Sequence, residues 1–249
     1  VDEGKKQDMI ESIFLNFREI IELNKRMLAD LRERQQQQPL VESIGDILLA
    51  HIAGFEPAYM NYIQRIALSE YTYKKEEAQN PKFAQFLKDC TRHPEARRLG
   101  LRHFVGQPYQ RIPRYPLLLH EVVKRTDEAV RDRETVQEVI NMCKELGKRI
   151  DARIPEGQKQ LRLLIIQDKI IWKIGDAPQD LKLSDKSRQL HFECIVKRRS
   201  NLDVQMIELR LFLFDQVLLM TKEKRSRQVD KDDKESTHYQ VSKNVRPQP

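Results

Sequence analysis

QPYQRIPRYPLLLHEVVKRTD, residues 107–127, is the stretch on which the reading of this chain turns. Three of the 11 prolines, Pro108, Pro113 and Pro116, fall within nine residues of one another. Proline fixes φ and suits the first turn of a helix, where its missing N–H costs nothing. An apolar block, Leu117, Leu118 and Leu119, follows, and then a helix-forming tail, residues 120–125. The spacing predicts a stiff, irregular lead-in that becomes a regular helix at about Pro116. If the whole stretch coils helically, Gln110, Arg114, Leu117 and Glu121 recur at i, i+4, i+7 and i+11, on one stripe. Tyr115, Leu118, Val122 and Val123 then fall beside or behind it, and Ile112, Tyr115 and Leu118 are expected in the core. An amide, a guanidinium, a leucine and a carboxylate on one stripe are poor core material. On composition alone that stripe is a solvated helix face.

The stretch sits inside a long helical succession. Upstream, Met9, Ile13, Phe17, Ile20, Ile21, Asn24, Leu28 and Leu31 recur at three and four, which predicts one helix over residues 8–36. A glutamine run and Pro39 end it. A second helix is expected over residues 41–62, with Ile44, Ile47, Leu48, Ile52, Phe55 and Tyr59 buried and a kink at Pro57. Residues 61–77 read as broken helix. Asn80-Pro81 and His93-Pro94 are helix starts. Phe83, Phe86 and Leu87 form one apolar face, and Leu99, Leu101 and Phe104 are expected to be buried. Downstream, Val136, Val139, Ile140, Cys143, Leu146 and Ile150 predict a helix over residues 134–153, broken or bent by Pro155, Glu156 and Gly157.

After about Leu161 the period changes from helical to alternating. Residues 191–197, 208–214 and 216–221 read as strands of an antiparallel sheet, with Asp215-Gln216 as a short turn and one further strand at 238–241. IIWK near Ile170 and DLKL near Asp180 look like a lead-in. Residues 223–237 carry charges of both signs and read as a loop.

Composition narrows the function classes. The 249 residues are 39% hydrophobic and 33% charged with only 8 glycines, which favours long amphipathic helices. No apolar run approaches the roughly 20 residues of a membrane span, and no signal peptide opens the chain. Three cysteines far apart, Cys90, Cys143 and Cys194, fit a reducing cytosol better than a disulfide framework. The net charge is +7, but bases and acids interleave and no aromatic–basic alternation suggests nucleic acid. An anionic lipid or an acidic protein suits a basic face equally well. The six histidines are dispersed. No Ser-His-Asp or Cys-His set, metal cluster or glycine-rich phosphate loop gives ground for hydrolysis, covalent catalysis or a bound cofactor.

P-x-Q-R-I-P-R-Y-P-L-L-L, followed by a helix and Thr126, resembles the third conserved region of the Dbl-homology domain, the exchange module for Rho-type GTPases. IFLNFREIIELN (13–24) and SIGDILLAHIAGFEPAY (43–59) extend the resemblance. LFLFDQVLLMTK is similar to the first strands of the pleckstrin-homology domain that accompanies it. The whole looks most like the fungal Rho-specific exchange factors. The resemblance implies a mainly α chain: an elongated helical bundle over residues 1–160, then a partial antiparallel β-domain over 161–249. It also implies departures. The family's first conserved helix, with a Glu that contacts the GTPase, has no counterpart, and only about half of a pleckstrin-homology domain is expected.

Through the resemblance, the stripe acquires a role. Gln110, Arg114, Leu117 and Glu121 are expected at the switch regions of a Rho-type small GTPase, where arginine offers a fixed fork of donors. The alternative is an intrahelical Arg114–Glu121 surface pair. Asp151 stands near a family Asn that hydrogen-bonds the second switch, and an ionised Asp accepts but does not donate. Lys197, Arg198, Arg199 and Arg210 are expected to cluster for an anionic phospholipid head group. An ordinary solvated basic loop is the even alternative, and Glu208 weakens the lipid signature. The resemblance implies an exchange factor that makes or breaks no covalent bond, cytoplasmic and peripheral at the membrane. The alternative is a non-catalytic scaffold or lipid-tethering module of the same fold.

Overall fold

The computed structural model describes residues 3–38, 40–127, 130–173, 181–183, 185, 187–199, 206–225 and 237–245. Its helices are α1 (Glu3–Phe14), α2 (Phe17–Gln37), α3 (Gly45–Ile52), α4 (Glu56–Gln79), α5 (Pro81–Arg92), α6 (Leu101–Arg111), α7 (Arg114–Arg125) and α8 (Asp132–Lys169). A short 3-10 turn, Pro94–Ala96, lies between α5 and α6. Strands β1 (Ile170–Ile171), β2 (Leu190–Arg199), β3 (Met206–Phe214), β4 (Leu218–Arg225) and β5 (Thr237–Val245) follow. The chain divides into two compact units, Val1–Gly157 and Gln158–Pro249. The mainly α architecture with a β-domain after it is the one expected.

In the first unit the helices bury one continuous core, in which Ile20, Phe55, Tyr59, Ile63, Val139 and Ile140 are central. All six α8 residues named from periodicity are buried. Elsewhere the expected helices are cut differently. Helix 8–36 is two helices, because Leu15 takes a left-handed φ of 56° and Asn16 turns its amide to the Ala58 carbonyl of α4, 3.0 Å away. Along α2 it is Met27, not Leu28, that is buried. Pro57 does not kink a continuous helix; it starts α4, since a proline in the first turn gives up only an N–H that has no partner there. Residues 61–77, expected as broken helix, are continuous within α4. Asn80 caps α5 as anticipated, accepting from the backbone N–H groups of Lys82 and Phe83 at 3.2 Å.

Two close approaches hold α8 against its neighbours. Asp132, in the first turn of α8, accepts from the backbone N–H groups of Ile44 and Gly45 at 2.9 Å, capping α3 from 87 residues away. A Cβ on Gly45 would lie 2.6 Å from that carboxylate. Farther along, residues 155–157 do not break the helix. A Cβ on Gly157 would lie 2.2 Å from the Gln64 carbonyl oxygen of α4, so the glycine lets two helix backbones touch. Pro155 has no N–H to offer the Asp151 carbonyl one turn back, yet packing on α4 carries the helix through, beyond the expected end at 153.

The second unit is a five-stranded sheet in the order β1-β5-β4-β3-β2. β2 to β5 pair antiparallel as a meander, and β1 joins β5 in parallel. Alternation places Phe212, Phe214 and Leu219 on one face, where Leu163 and Ile166 of α8 meet them with Tyr239 and Val217. The Asp215-Gln216 turn closes with Phe214 N–H donating to the Val217 carbonyl at 2.9 Å. Alternation was expected from about Leu161, but helix persists to Lys169 because Leu163 and Ile166 form a helical stripe against the sheet. Asp180 and most of the 223–237 loop lie outside the described residues.

Candidate functional site

Residues 107–125 form two helices rather than an irregular lead-in and one helix. Pro108 is accommodated inside α6, and the chain breaks only at Ile112-Pro113 before α7 starts at Arg114. Two buried tyrosines position the pair. The Tyr62 hydroxyl of α4 donates to the Val105 carbonyl of α6 at 2.8 Å. The Tyr115 hydroxyl of α7 donates to the Asn24 amide oxygen of α2 at 2.7 Å, and the Asn24 amide donates to the Tyr59 hydroxyl at 3.0 Å. Burial pushes the Tyr59 and Tyr62 phenols up to about 12, so both stay neutral across the physiological range. The Arg111 guanidinium sits 4.6 Å from the centre of the Tyr115 ring, and Ile112 plugs the break.

This frame decides which side chains face outward. Ile112, Tyr115, Pro116 and Leu119 are buried. Leu118, expected in the core, is 57% exposed, and the core position belongs to Leu119, 6% exposed. At about 100° per residue, buried Tyr115 and Pro116 centre the inward face between them; Leu119 returns to that centre, whereas Leu118 falls on the far side of Tyr115. Phe104 of α6 and Leu99, which precedes that helix, were also expected to be buried but are exposed, and Val105 is buried instead.

The stripe itself lies at the surface. Gln110, Arg114, Leu117 and Glu121 are all exposed, Leu117 by 68%. Although α6 and α7 are separate helices, Arg114 Nη2 donates to Gln110 Oε1 at 3.3 Å across the break. The alternative Arg114–Glu121 pair is not the one formed. Glu121 instead accepts from Lys124 at 2.7 Å and lies 3.9 Å from Arg125.

Asp151 of α8 joins this surface through a residue that sequence reasoning did not single out. The Tyr109 hydroxyl, next to Gln110, donates to Asp151 Oδ1 at 3.1 Å. Partial burial and the neighbouring carboxylate raise the Tyr109 phenol, which keeps it a donor. No local signal marks Tyr109, because its partner is 42 residues away. An amide, a guanidinium, a projecting leucine and carboxylates thus share one surface of the first unit. That surface offers hydrogen bonds and an apolar anchor, but no nucleophile–base pair.

The basic cluster of the second unit is divided. Arg198 and Arg199 are exposed on β2, and Lys197 lies 3.6 Å from Glu208, its cross-strand neighbour. Arg210 stands apart from them. Its guanidinium donates to Glu193 at 2.7 Å and to Glu223, and lies 5.8 Å from the Tyr239 ring. Arg162 of α8 binds the same Glu193 with two bonds, 3.0 and 2.6 Å. Burial alone would raise the Glu193 carboxyl, but the hydrogen bonds from Arg162 and Arg210 win and hold it below its ordinary value. Arg210 therefore ties the sheet to α8, because β-alternation turns it toward the helix-covered face that carries Phe212. Among the described residues, no helix is long and apolar enough to cross a membrane, and no three His, Cys, Asp or Glu side chains are grouped to hold a metal.

Residues 4–151 match the model of the RhoGEF domain, more than half of the chain. The chain belongs to the RhoGEF domain family. The Rho1 guanine nucleotide exchange factor 1 of Schizosaccharomyces pombe is 34% identical to this RhoGEF chain over 227 residues, 90% of the chain and 17% of the relative. The RHO1 GDP-GTP exchange protein 2 of Saccharomyces cerevisiae is 30% identical over 224 residues, 88% of the chain and 16% of the relative. The chain thus spans about a sixth of the length of these relatives, and the resemblance to fungal Rho exchange factors holds. The DH/PH domains of p115-RhoGEF share the fold at a TM-score of 0.68 and 24% identity, over 96% of this chain and 69% of that one. So do the DH/PH domains of PDZ-RhoGEF, solved in complex with activated RhoA, at a TM-score of 0.64 and 19% identity over 96% of this chain and 68% of that one.

Proposed function

We propose that this chain promotes GDP release from a Rho-type small GTPase, with the first unit as the Dbl-homology module and the second as part of a pleckstrin-homology module. One observation carries the reading. In a chain of the RhoGEF family, Gln110, Arg114 and Leu117 stand exposed together on α6 and α7 while their neighbours Tyr115 and Leu119 are locked in the core. Residues that fold the helix and residues free to bind a partner are cleanly separated.

The proposed mechanism is differential affinity. The surface binds the nucleotide-free GTPase more tightly than the GDP-bound form, so binding shifts the equilibrium towards release. Leu117 supplies an apolar anchor. Arg114, already oriented by Gln110, supplies a planar fork for carbonyls or carboxylates. Glu121 accepts donors at the other end of the stripe. Asp151, held by Tyr109, presents an acceptor beside Gln110. GDP leaves, GTP refills the emptied site, and this chain makes or breaks no covalent bond. Lys197, Arg198 and Arg199 would add a weak attraction to anionic lipid, consistent with a cytoplasmic protein peripheral at the membrane.

The test is release of labelled GDP from a panel of Rho-type GTPases. Arg114→Glu is expected to slow exchange about ten-fold or more, roughly 1.4 kcal/mol of coupling. Arg114 is exposed and its guanidinium donates to an exposed amide, so helicity and melting temperature should hold. A folded Arg114→Glu chain with undiminished exchange would remove Arg114 from the interface.

A further inference from the structure

Resting on the exchange reading above, we infer that Gly147 of α8 is a specificity-determining notch in the same surface. A stretch of the GTPase main chain lies across it and places a donor on Asp151.

Gly147 stands inside a 38-residue helix. Apart from proline, glycine is the poorest helix former, because it gives up the most backbone freedom and leaves the backbone open to water. A glycine kept there calls for a compensating reason. For the other glycine of α8, Gly157, the reason lies inside the fold: a Cβ would stand 2.2 Å from the Gln64 carbonyl oxygen. Gly45 likewise makes room for Asp132 and Thr135. Gly147 has no such neighbour. A Cβ on it would meet nothing within 4 Å, and the residue is only partly covered. The fold has room for a side chain here and the chain does without one, so the open space serves a close approach from outside.

The borders of the notch define its occupant. Residues three and four apart share a helix face, so exposed Lys144 and exposed Asp151 flank Gly147 at i−3 and i+4. A cation at one end and a carboxylate at the other match a peptide segment, which offers a carbonyl to the first and an N–H to the second. A phosphate group would be repelled by the carboxylate. Asp151 is also aimed. The Tyr109 hydroxyl donates to its Oδ1 at 3.1 Å, which leaves Oδ2 to accept from the partner. Tyr109 is therefore a positioning residue that acts through Asp151. Its neighbour Gln110 begins the exposed stripe of α6 and α7, so a partner covering that stripe reaches the notch as well. With no Cβ between them, the two main chains approach more closely than any other residue at 147 allows.

The test uses the full chain and a panel of Rho-type GTPases, and reads binding of the nucleotide-free GTPase, labelled-GDP release and melting temperature together. Gly147→Ala should melt about 2–4 °C higher, since alanine is the better helix former and its methyl group meets no neighbour in the fold. It should nevertheless bind the GTPase about ten-fold less tightly, because that methyl group is forced into a packed contact, and Gly147→Gln should lose more. The loss should appear in KM with kcat nearly kept. A merely structural glycine would move stability and exchange in the same direction. Tyr109→Phe should weaken binding several-fold in the wild type and not at all once Asp151 is replaced by alanine. Unchanged binding by Gly147→Ala, with Arg114→Glu still deficient, would overturn the inference and leave the exchange reading standing. A chain that binds no GTPase of the panel would overturn both. An equal loss from Tyr109→Phe in the two backgrounds would overturn the positioning role of Tyr109.

Discussion

Replacing Leu117 and Leu119 separately by alanine should divide partner binding from folding on a single helix. Leu117 is 68% exposed, so about two-thirds of its side chain awaits burial by a partner. Fully burying a leucine contributes about 1.5–3 kcal/mol. Two-thirds of that is roughly 1–2 kcal/mol, or about five- to thirty-fold in exchange efficiency. The cost of Leu117→Ala to the free chain should stay within about 0.5 kcal/mol, as for other exposed sites. Leu119 is 6% exposed and packs in the core with Phe55 and Ile112 as fellow members. Leu119→Ala should therefore cost about 2–5 kcal/mol through lost burial and the cavity left behind. The paired assay is a thermal melt and labelled-GDP release at a temperature where both variants are folded. Leu118→Ala is the internal control: at 57% exposure it should melt near wild type, although the sequence pattern placed it in the core. Unchanged exchange in Leu117→Ala, or a large stability loss in Leu118→Ala, would refute the assigned rotation of α7.

Gly157→Ala sets about 1 kcal/mol of helix propensity against a Cβ 2.2 Å from the Gln64 carbonyl, and overpacking, at about 1–3 kcal/mol and here against rigid backbone, should outweigh it by about 1–2 kcal/mol. The melting temperature should fall by a few degrees, and an increase would show that α4 and α8 do not touch there. Glu193 should make the second unit acid-sensitive. Its folded pKa lies below the ordinary value of 4.5, so its stabilisation is complete above that value and is lost as the pH falls through the folded pKa. Between about pH 6 and pH 3 the wild type should therefore lose more stability than Glu193→Gln, and parallel acid profiles would show that the arginine pair does not perturb Glu193. Cys143 is buried and its thiol is raised to about 11, whereas Cys90 is exposed; a thiol reagent should label Cys90 far faster, and comparable rates would mean that the α8 core opens readily.

The sequence by itself determined the element types, the order of a helical unit and a sheet, and the family. Helical and alternating periods are local, and the motif around Gln110, Arg114 and Leu117 is contiguous, so one pass along the chain reads both. The α8 core residues were legible because a long, regular helix keeps its phase. Phase failed where tertiary contacts cut or joined helices. Nothing local says that Asn16 will reach the Ala58 carbonyl and divide α1 from α2, or that Gly157 serves a close approach to Gln64 rather than a break. Leu118 and Leu119 are chemically alike, and the burial of Tyr115 and Pro116, with the Tyr115 hydrogen bond to Asn24, sets which of them faces inward. The same holds for charge. Arg210 and Arg199 are equal on paper and share one face of the sheet, but Arg210, in the middle of β3, meets Glu193 and Glu223, whereas Arg199, at the end of β2, stays at the surface. Residue type and spacing are carried by the chain, whereas side-chain facing depends on partners 42 to 91 residues away, as for Tyr109 and Tyr115, and exists only once the chain has folded.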